Sequence, residues 1–186
     1  MITWPAWDQA ATLWINQHHN PALDVILVSV SWLGEMGVGP AVLMAALLIF
    51  GRRRERLLTV ILVVGLAATE LLIMPLIRAH YFRPRPYVEF PDLIRQLGVR
   101  WTSTSFPSSH AHMWTQVTLL YGLAYRRWLG PLLAVTLLTY YGRPYAGMHH
   151  VLDVVGGAVL GGIMGLLEVW VASRLGLLKR DKQPDS

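Results

Sequence analysis

An all-α bundle that crosses a membrane several times is the fold class this sequence predicts, and two observations predict it. Hydrophobic residues make up 54% of the 186-residue chain and the mean hydropathy is +0.42, too apolar for an ordinary water-soluble domain. The apolar residues also come in long blocks rather than alternating: Leu57 to Ile77, Met113 to Tyr125, Leu129 to Tyr141 and Val151 to Ala172, against the roughly 20 residues a span needs. The length fits one integral membrane domain over 1–186. The absence of cysteine excludes a disulfide framework and thiolate chemistry. A net charge of +5 in such a chain marks cytoplasmic helix ends before it marks acidic partners, and nothing in the sequence points to nucleic acid.

Met1 to Pro5 lacks the basic start and small-residue site of a cleavable signal, so the first helices are expected to stay on the protein. Pro5 to His19 mixes Trp7, Ala10, Ala11, Leu13 and Trp14 with Asp8, Gln9, Asn16 and Gln17, which fits an interfacial helix within 1–20. Leu23 to Trp32 is apolar but short and reads as a half-span or tilted helix. A span over about Val38 to Phe50 stops at the Arg52–Arg56 cluster, and the next runs from Leu57 to Ile77. A polar loop covers 78–106. Pro107 suits the first position of the next span, which ends at Arg126 and Arg127; further spans are expected over Leu129 to Tyr141 and from about His149 to Ala172. That makes five to six spans. Gly156, Gly157, Gly161, Gly162 and Gly165 recur at four-residue steps in the last of them, the pattern of a close helix contact.

Placing Arg52, Arg53, Arg54, Arg56, Arg126, Arg127, Arg174, Lys179, Arg180 and Lys182 inside the cell satisfies the positive-inside rule for all of them. The 78–106 loop and the turn from Arg143 to His149 are then forced outside together, and 174–186 becomes a cytoplasmic tail. Arg78, Arg83, Arg85, Arg95, Arg100 and Arg143 sit where that rule disfavours them, which implies a need for positive charge there.

Three segments converge on the outer face: Arg78-x6-Arg85-Pro86, Pro107-Ser108-Ser109-His110, and Arg143-x5-His149-x3-Asp153. Phosphoryl transfer needs fixed positive charge around the phosphoryl oxygens, an in-line nucleophile and an acid for the leaving oxygen. Arginines supply the first. His149 and Asp153 stand four apart, so on a helix beginning near His149 they share a face and the carboxylate holds one ring nitrogen protonated, leaving the other to attack. His110 opens a helix whose first N–H groups favour an anion and is placed to be the proton donor.

These segments resemble the signature of the type-2 phosphatidic acid phosphatase family, whose site is shared with vanadium-dependent haloperoxidases: lysine, six residues, Arg-Pro; Pro-Ser-Gly-His; and Ser-Arg, five residues, His, three residues, Asp. The spacing matches throughout, over roughly Leu57 to Gly165. Arg78 stands for the family's lysine, Ser109 for its glycine, and Gly142 for its serine. The resemblance implies a helical bundle, a phosphohistidine intermediate, and neither cofactor nor metal. It implies His149 as nucleophile, Asp153 as its orienting partner and His110 as acid then base, with Arg78, Arg85, Arg143, Ser108 and Ser109 binding the phosphate. The expected activity is hydrolysis of a lipid phosphate or diphosphate, of the phosphatidate, phosphatidylglycerophosphate or polyprenyl diphosphate class, in a bacterial inner membrane with the site outward. Phosphoryl transfer to another lipid and non-catalytic binding of a lipid phosphate are the alternatives. Arg83 is expected to be structural or to meet headgroups, His80, His112 and His150 to be polar neighbours, and Glu70 to serve structure or proton handling.

Overall fold

The computed structural model describes residues 3–35, 38–101 and 103–178, and the described residues form helices and connecting turns with no strand. Helix α1 (Ala6–Gln17) is followed by α2 (Pro21–Glu35) and α3 (Val38–Phe50). Helix α4 (Arg53–Ala68), a π turn (Thr69–Ile73) and α5 (Met74–His80) form one rod of 28 residues. The π turn has a cause in the sequence. Pro75 has no N–H to return to residue 71, and the Met74 N–H reaches back five residues to the Thr69 carbonyl instead. A short α6 (Pro86–Glu89) interrupts the following loop, and α7 (Ser109–Ala124), α8 (Arg126–Tyr145) and α9 (Val151–Arg174) complete the chain.

Among the described residues, two helices are long and apolar enough to cross a membrane, Arg53–His80 and Val151–Arg174, and Pro40–Phe50 is a shorter apolar stretch. The interior is inverted relative to a water-soluble protein. Asp8, Asn16, Arg83, Gln116, Arg143, Asp153 and Glu168 are buried, whereas Leu43, Phe50, Leu71, Leu76, Ile163 and Trp170 stand at the surface. An apolar cluster of Leu58, Leu62, Leu120, Ala172 and Leu177 closes one end.

Helix α7 packs along α9 over the glycine stripe. An added Cβ at Gly157 would lie 2.4 Å from the Ser108 carbonyl oxygen, and one at Gly161 would lie 2.5 Å from that of His112. Gly165 meets Gln116 and Leu119 on the same face, Gly156 meets the Phe106 ring, and Gly162 has nothing within 4 Å among the described residues. The expected packing role thus holds for the 157, 161, 165 stripe and not for Gly162.

Helix boundaries differ from expectation where they matter for chemistry. The 57–77 block extends to Arg53–His80, which puts Arg78 on the last helical turn rather than in a loop. Helix α7 begins at Ser109 with Ser108 as its N-cap, so Pro107 lies outside it. Helix α8 runs on to Tyr145 and carries Arg143 in its final turn. Helix α9 starts at Val151, which leaves His149 in the preceding turn.

The basic turns gather at the end of the bundle away from these residues. Arg54 donates to the Leu177 carbonyl at 2.8 Å and the Ala124 carbonyl at 2.9 Å, and the Tyr125 hydroxyl donates to Glu55 at 2.8 Å. The turns before α4, before α8 and after α9 therefore share one end.

Candidate active site

The opposite end brings the three segments together. His149, 4% exposed, sits in the turn between α8 and α9. Its Nδ1 donates to the Ser105 carbonyl at 2.8 Å, which fixes the tautomer and leaves the Nε2 lone pair available. Arg85 NH1 lies 3.3 Å from that Nε2 and also donates to the Met148 carbonyl at 3.0 Å. The Ser103 carbonyl and hydroxyl, both at 3.2 Å, hold the rest of the Arg85 guanidinium. Burial, reinforced by Arg143 and Arg85 and opposed by Asp153, pushes the His149 imidazole down to about 4. The ring is neutral at pH 7, as a nitrogen nucleophile must be.

The carboxylate expected to hold His149 has a different arrangement. Because His149 precedes α9, the two residues do not share a helical face, and Asp153 Oδ2 is 3.7 Å from His149 Nδ1, with the hydrogen bond going to Ser105. Asp153 Oδ2 accepts the His150 N–H at 2.8 Å as half of a capping box, and Oδ1 accepts from Arg83 at 2.9 Å. Asp153 is a charge near the ring and an anchor of the helix start. Ser105, which no motif reading singled out, is the direct partner; only the fold reveals a backbone carbonyl in that role.

Arg83 was expected to be structural or to meet headgroups. Its side chain is 0% exposed, which removes the headgroup reading, and it joins Asp153 to Asp8 of α1. The ring of Trp4 covers its guanidinium at 4.1 Å. His150 is also fully buried, with ring nitrogens 3.4 Å from Asp153 and 3.1 Å from Glu89.

Arg78 NH2 donates to Ser109 Oγ at 2.8 Å, and Arg78 NH1 is 3.7 Å from Glu70. Glu70 accepts from His112 Nε2 at 2.9 Å, and Gln116 donates to His112 Nδ1 at 2.9 Å. His112 is thereby a buried polar neighbour, as expected, and Glu70 ties the π turn to the start of α7. A cavity of about 140 Å³ is lined by Leu66, Glu70, Ser109, His110, His112 and Met113. Ser108 Oγ and His110 Nε2 are buried and have no hydrogen-bond partner among the described residues, the state expected of groups that await a ligand. Arg143 is buried at 1% in the last turn of α8, and its carbonyl accepts the Met148 N–H at 3.1 Å. His80 bonds its own helix at Leu76 and takes no part.

The family model described as the PAP2 superfamily matches residues 58–176. The chain belongs to this superfamily. It is 31% identical over 151 residues, 81% of this chain and 75% of the relative, to the protein named undecaprenyl-diphosphatase BcrC of Bacillus subtilis. It is 28% identical over 129 residues to the protein named bacitracin transport permease protein BcrC of Bacillus licheniformis, covering 67% of this chain and 61% of that one. Among solved structures, Aquifex aeolicus LpxE superposes with a TM-score of 0.75 at 26% identity, covering 91% of this chain and 99% of that one. A transmembrane PAP2-type phosphatidylglycerolphosphate phosphatase from Bacillus subtilis superposes at 0.71 and 22% identity, covering 95% of this chain and 88% of that one, which supports the fold alone.

Proposed function

We propose that the protein is an integral membrane lipid phosphatase that hydrolyses a lipid phosphate or diphosphate through a phosphohistidine on His149. The observation that carries the mechanism is the His149 ring, with Nδ1 committed to the Ser105 carbonyl and Nε2 3.3 Å from an Arg85 nitrogen. Arg85, Arg143 and Arg78 clamp the phosphoryl oxygens, with the Ser108 hydroxyl and Ser109 assisting. Nε2 attacks phosphorus as the bond to the leaving oxygen breaks, and His110 protonates that oxygen. His110 then takes a proton from water as the water hydrolyses the phosphohistidine. None of these steps calls for a metal or cofactor.

The membrane reading rests on the inverted interior and on the two apolar helices. Helices α2, α3, α7 and α8 complete a bundle of five to six spans, α1 lies at the interface, and the single domain covers the chain. The basic end formed by Arg54 and its neighbours is cytoplasmic, so the site faces outward, which for a bacterial inner membrane is the periplasm. Polyprenyl diphosphate is the first substrate to test, since a relative named for undecaprenyl-diphosphatase activity aligns over most of both chains. The test is phosphate release in detergent from polyprenyl diphosphate, phosphatidylglycerophosphate and phosphatidate. Release from at least one without an acceptor lipid is expected; release only when an acceptor is added identifies a transferase, and no release from any removes the enzymatic reading.

A further inference from the structure

Helix α1 turns a polar face inward. Its buried positions Asp8, Thr12 and Asn16 form one stripe at four-residue steps, while Trp7 and Trp14 stand at the surface. The stripe's partners are catalytic segments. Thr12 Oγ1 accepts the Val151 N–H at 3.2 Å and Asp8 Oδ1 accepts the Leu152 N–H at 2.8 Å, two of the first-turn donors that α9 cannot satisfy itself. Asn16 holds the Tyr145 carbonyl at 2.7 Å. Asp8 Oδ2 accepts from Arg83, whose other nitrogen donates to Asp153 Oδ1 at 2.9 Å.

The side chains of Asp8, Arg83 and Asp153 are all 0% exposed, so water screens their charges little and each carboxylate counts. One guanidinium between two carboxylates leaves a net charge of −1 beside His149. Without Asp8, Arg83 would cancel Asp153. The nucleophile needs that remaining charge, because a ring whose Nε2 has bonded phosphorus while Nδ1 keeps its proton on Ser105 is a cation. Arg85 and Arg143 already surround the ring with positive charge, and the nearby anion is Asp153, 3.7 Å from Nδ1.

We propose that Asp8 is a positioning residue for catalysis: by neutralising Arg83 it leaves the Asp153 carboxylate uncancelled beside the cationic phosphohistidine, which makes the N-terminal helix part of the active site. Asp8 lies outside residues 58–176, the stretch that carries the family's likeness. The inference rests on the reading of His149 as nucleophile. In the step it serves, the Nε2 lone pair forms the N–P bond, the P–O pair departs with the leaving oxygen, and that oxygen takes the His110 proton.

The decisive variants are made in the full chain in detergent and assayed with polyprenyl diphosphate. Asp8→Asn keeps the shape and an acceptor for the Leu152 N–H while removing the charge. A charge two hydrogen bonds from Asp153, whose carboxylate lies 3.7 Å from the ring, is worth about 10- to 50-fold in rate at an effective dielectric near 20, so kcat is expected to fall by that factor, with inorganic phosphate binding and KM within about threefold of wild type. Adding Arg83→Gln restores the net charge and is expected to recover most of the lost kcat. A role limited to docking α1 predicts the reverse, a double variant worse than the single one. Wild-type kcat in Asp8→Asn, or a folded double variant no better than the single, overturns the proposal. If Asp8→Asn does not fold, the double variant decides alone: near-wild-type kcat supports the charge role and a folded, inactive protein removes it. Rapid-quench detection of acid-labile phosphoenzyme in wild type separates the two claims, since its absence removes the nucleophile reading itself and its presence leaves only the role of Asp8 in question.

Discussion

The two walls of the site are built differently. Toward α1, Asp8, Arg83 and Asp153 are sealed from solvent and bonded to one another, and the His149 Nδ1 is committed to a backbone carbonyl. Toward α5 and α7, the Arg78 and Glu70 side chains are 27% and 36% exposed, a cavity of about 140 Å³ opens beside His110, and Ser108 Oγ and His110 Nε2 are buried without partners among the described residues. A buried wall tied by two ion pairs has one arrangement and holds the nucleophile in it. An unsatisfied wall keeps its donors for the ligand, where phosphate oxygens complete what the protein leaves open.

The comparison predicts graded losses. His149→Ala, which empties the closed wall of its nucleophile, should lower turnover at least about a thousandfold while inorganic phosphate binding persists, as measured by calorimetry. Loss of phosphate binding as well would show that the walls are not separable. His110→Ala, on the open wall, should cost on the order of 10²–10⁴ in the step it protonates. With a monoester that step is bond breaking, so no phosphoenzyme should form. With a prenyl diphosphate, whose leaving phosphate is already a stable anion, a phosphoenzyme burst should form and then stall.

Arg85→Lys keeps the charge and loses the fork that spans Ser103, Met148 and His149, and should reduce kcat/KM about 10- to 100-fold. Glu70→Gln keeps a partner for His112 and only weakens a part-exposed 3.7 Å contact to Arg78, so a change of about two- to fivefold, mainly in KM, is expected; a loss as large as that of His110→Ala would place Glu70 in the proton path.

The smallest effect is that of pH. With the folded His149 near 4 and its unfolded value near 6.5, more than about nine-tenths of the folded rings stay neutral at pH 5.5, so this residue should impose no acid limb on kcat/KM above about pH 5. The unfolded chain binds the extra proton first. The His149 contribution therefore makes stability fall as pH drops from about 6.5 towards 4, which melting temperatures of wild type and His149→Ala across that range would test.

The open wall was largely legible in the sequence, because its residues come from fixed spacings: Arg78, Ser109 and His110 meet as the motifs imply. The closed wall was not. Its carriers are a backbone carbonyl at Ser105, which no side-chain pattern reports, and a pairing of Asp8 with Arg83 across 75 residues, which only the docking of α1 creates. A signal was present in the polar 8, 12, 16 stripe and in the Arg83-Pro84-Arg85-Pro86 doublet, but an amphipathic segment with tryptophans reads first as a helix facing headgroups. Two helix limits failed for a related reason: Arg78 and Arg143 are polar residues on helical turns, and hydropathy ends a helix where the apolar run ends rather than where its hydrogen bonds do.

The central claim is that His149 Nε2 is the atom that receives the phosphoryl group. The direct measurement is rapid quenching of the enzyme with lipid substrate labelled on the transferred phosphate, followed by fragmentation at high pH and mapping of the label. Acid-labile, base-stable label on the peptide containing His149, absent from His149→Ala, is the predicted result; label on another residue, or turnover with no labelled enzyme at any time point, would contradict it.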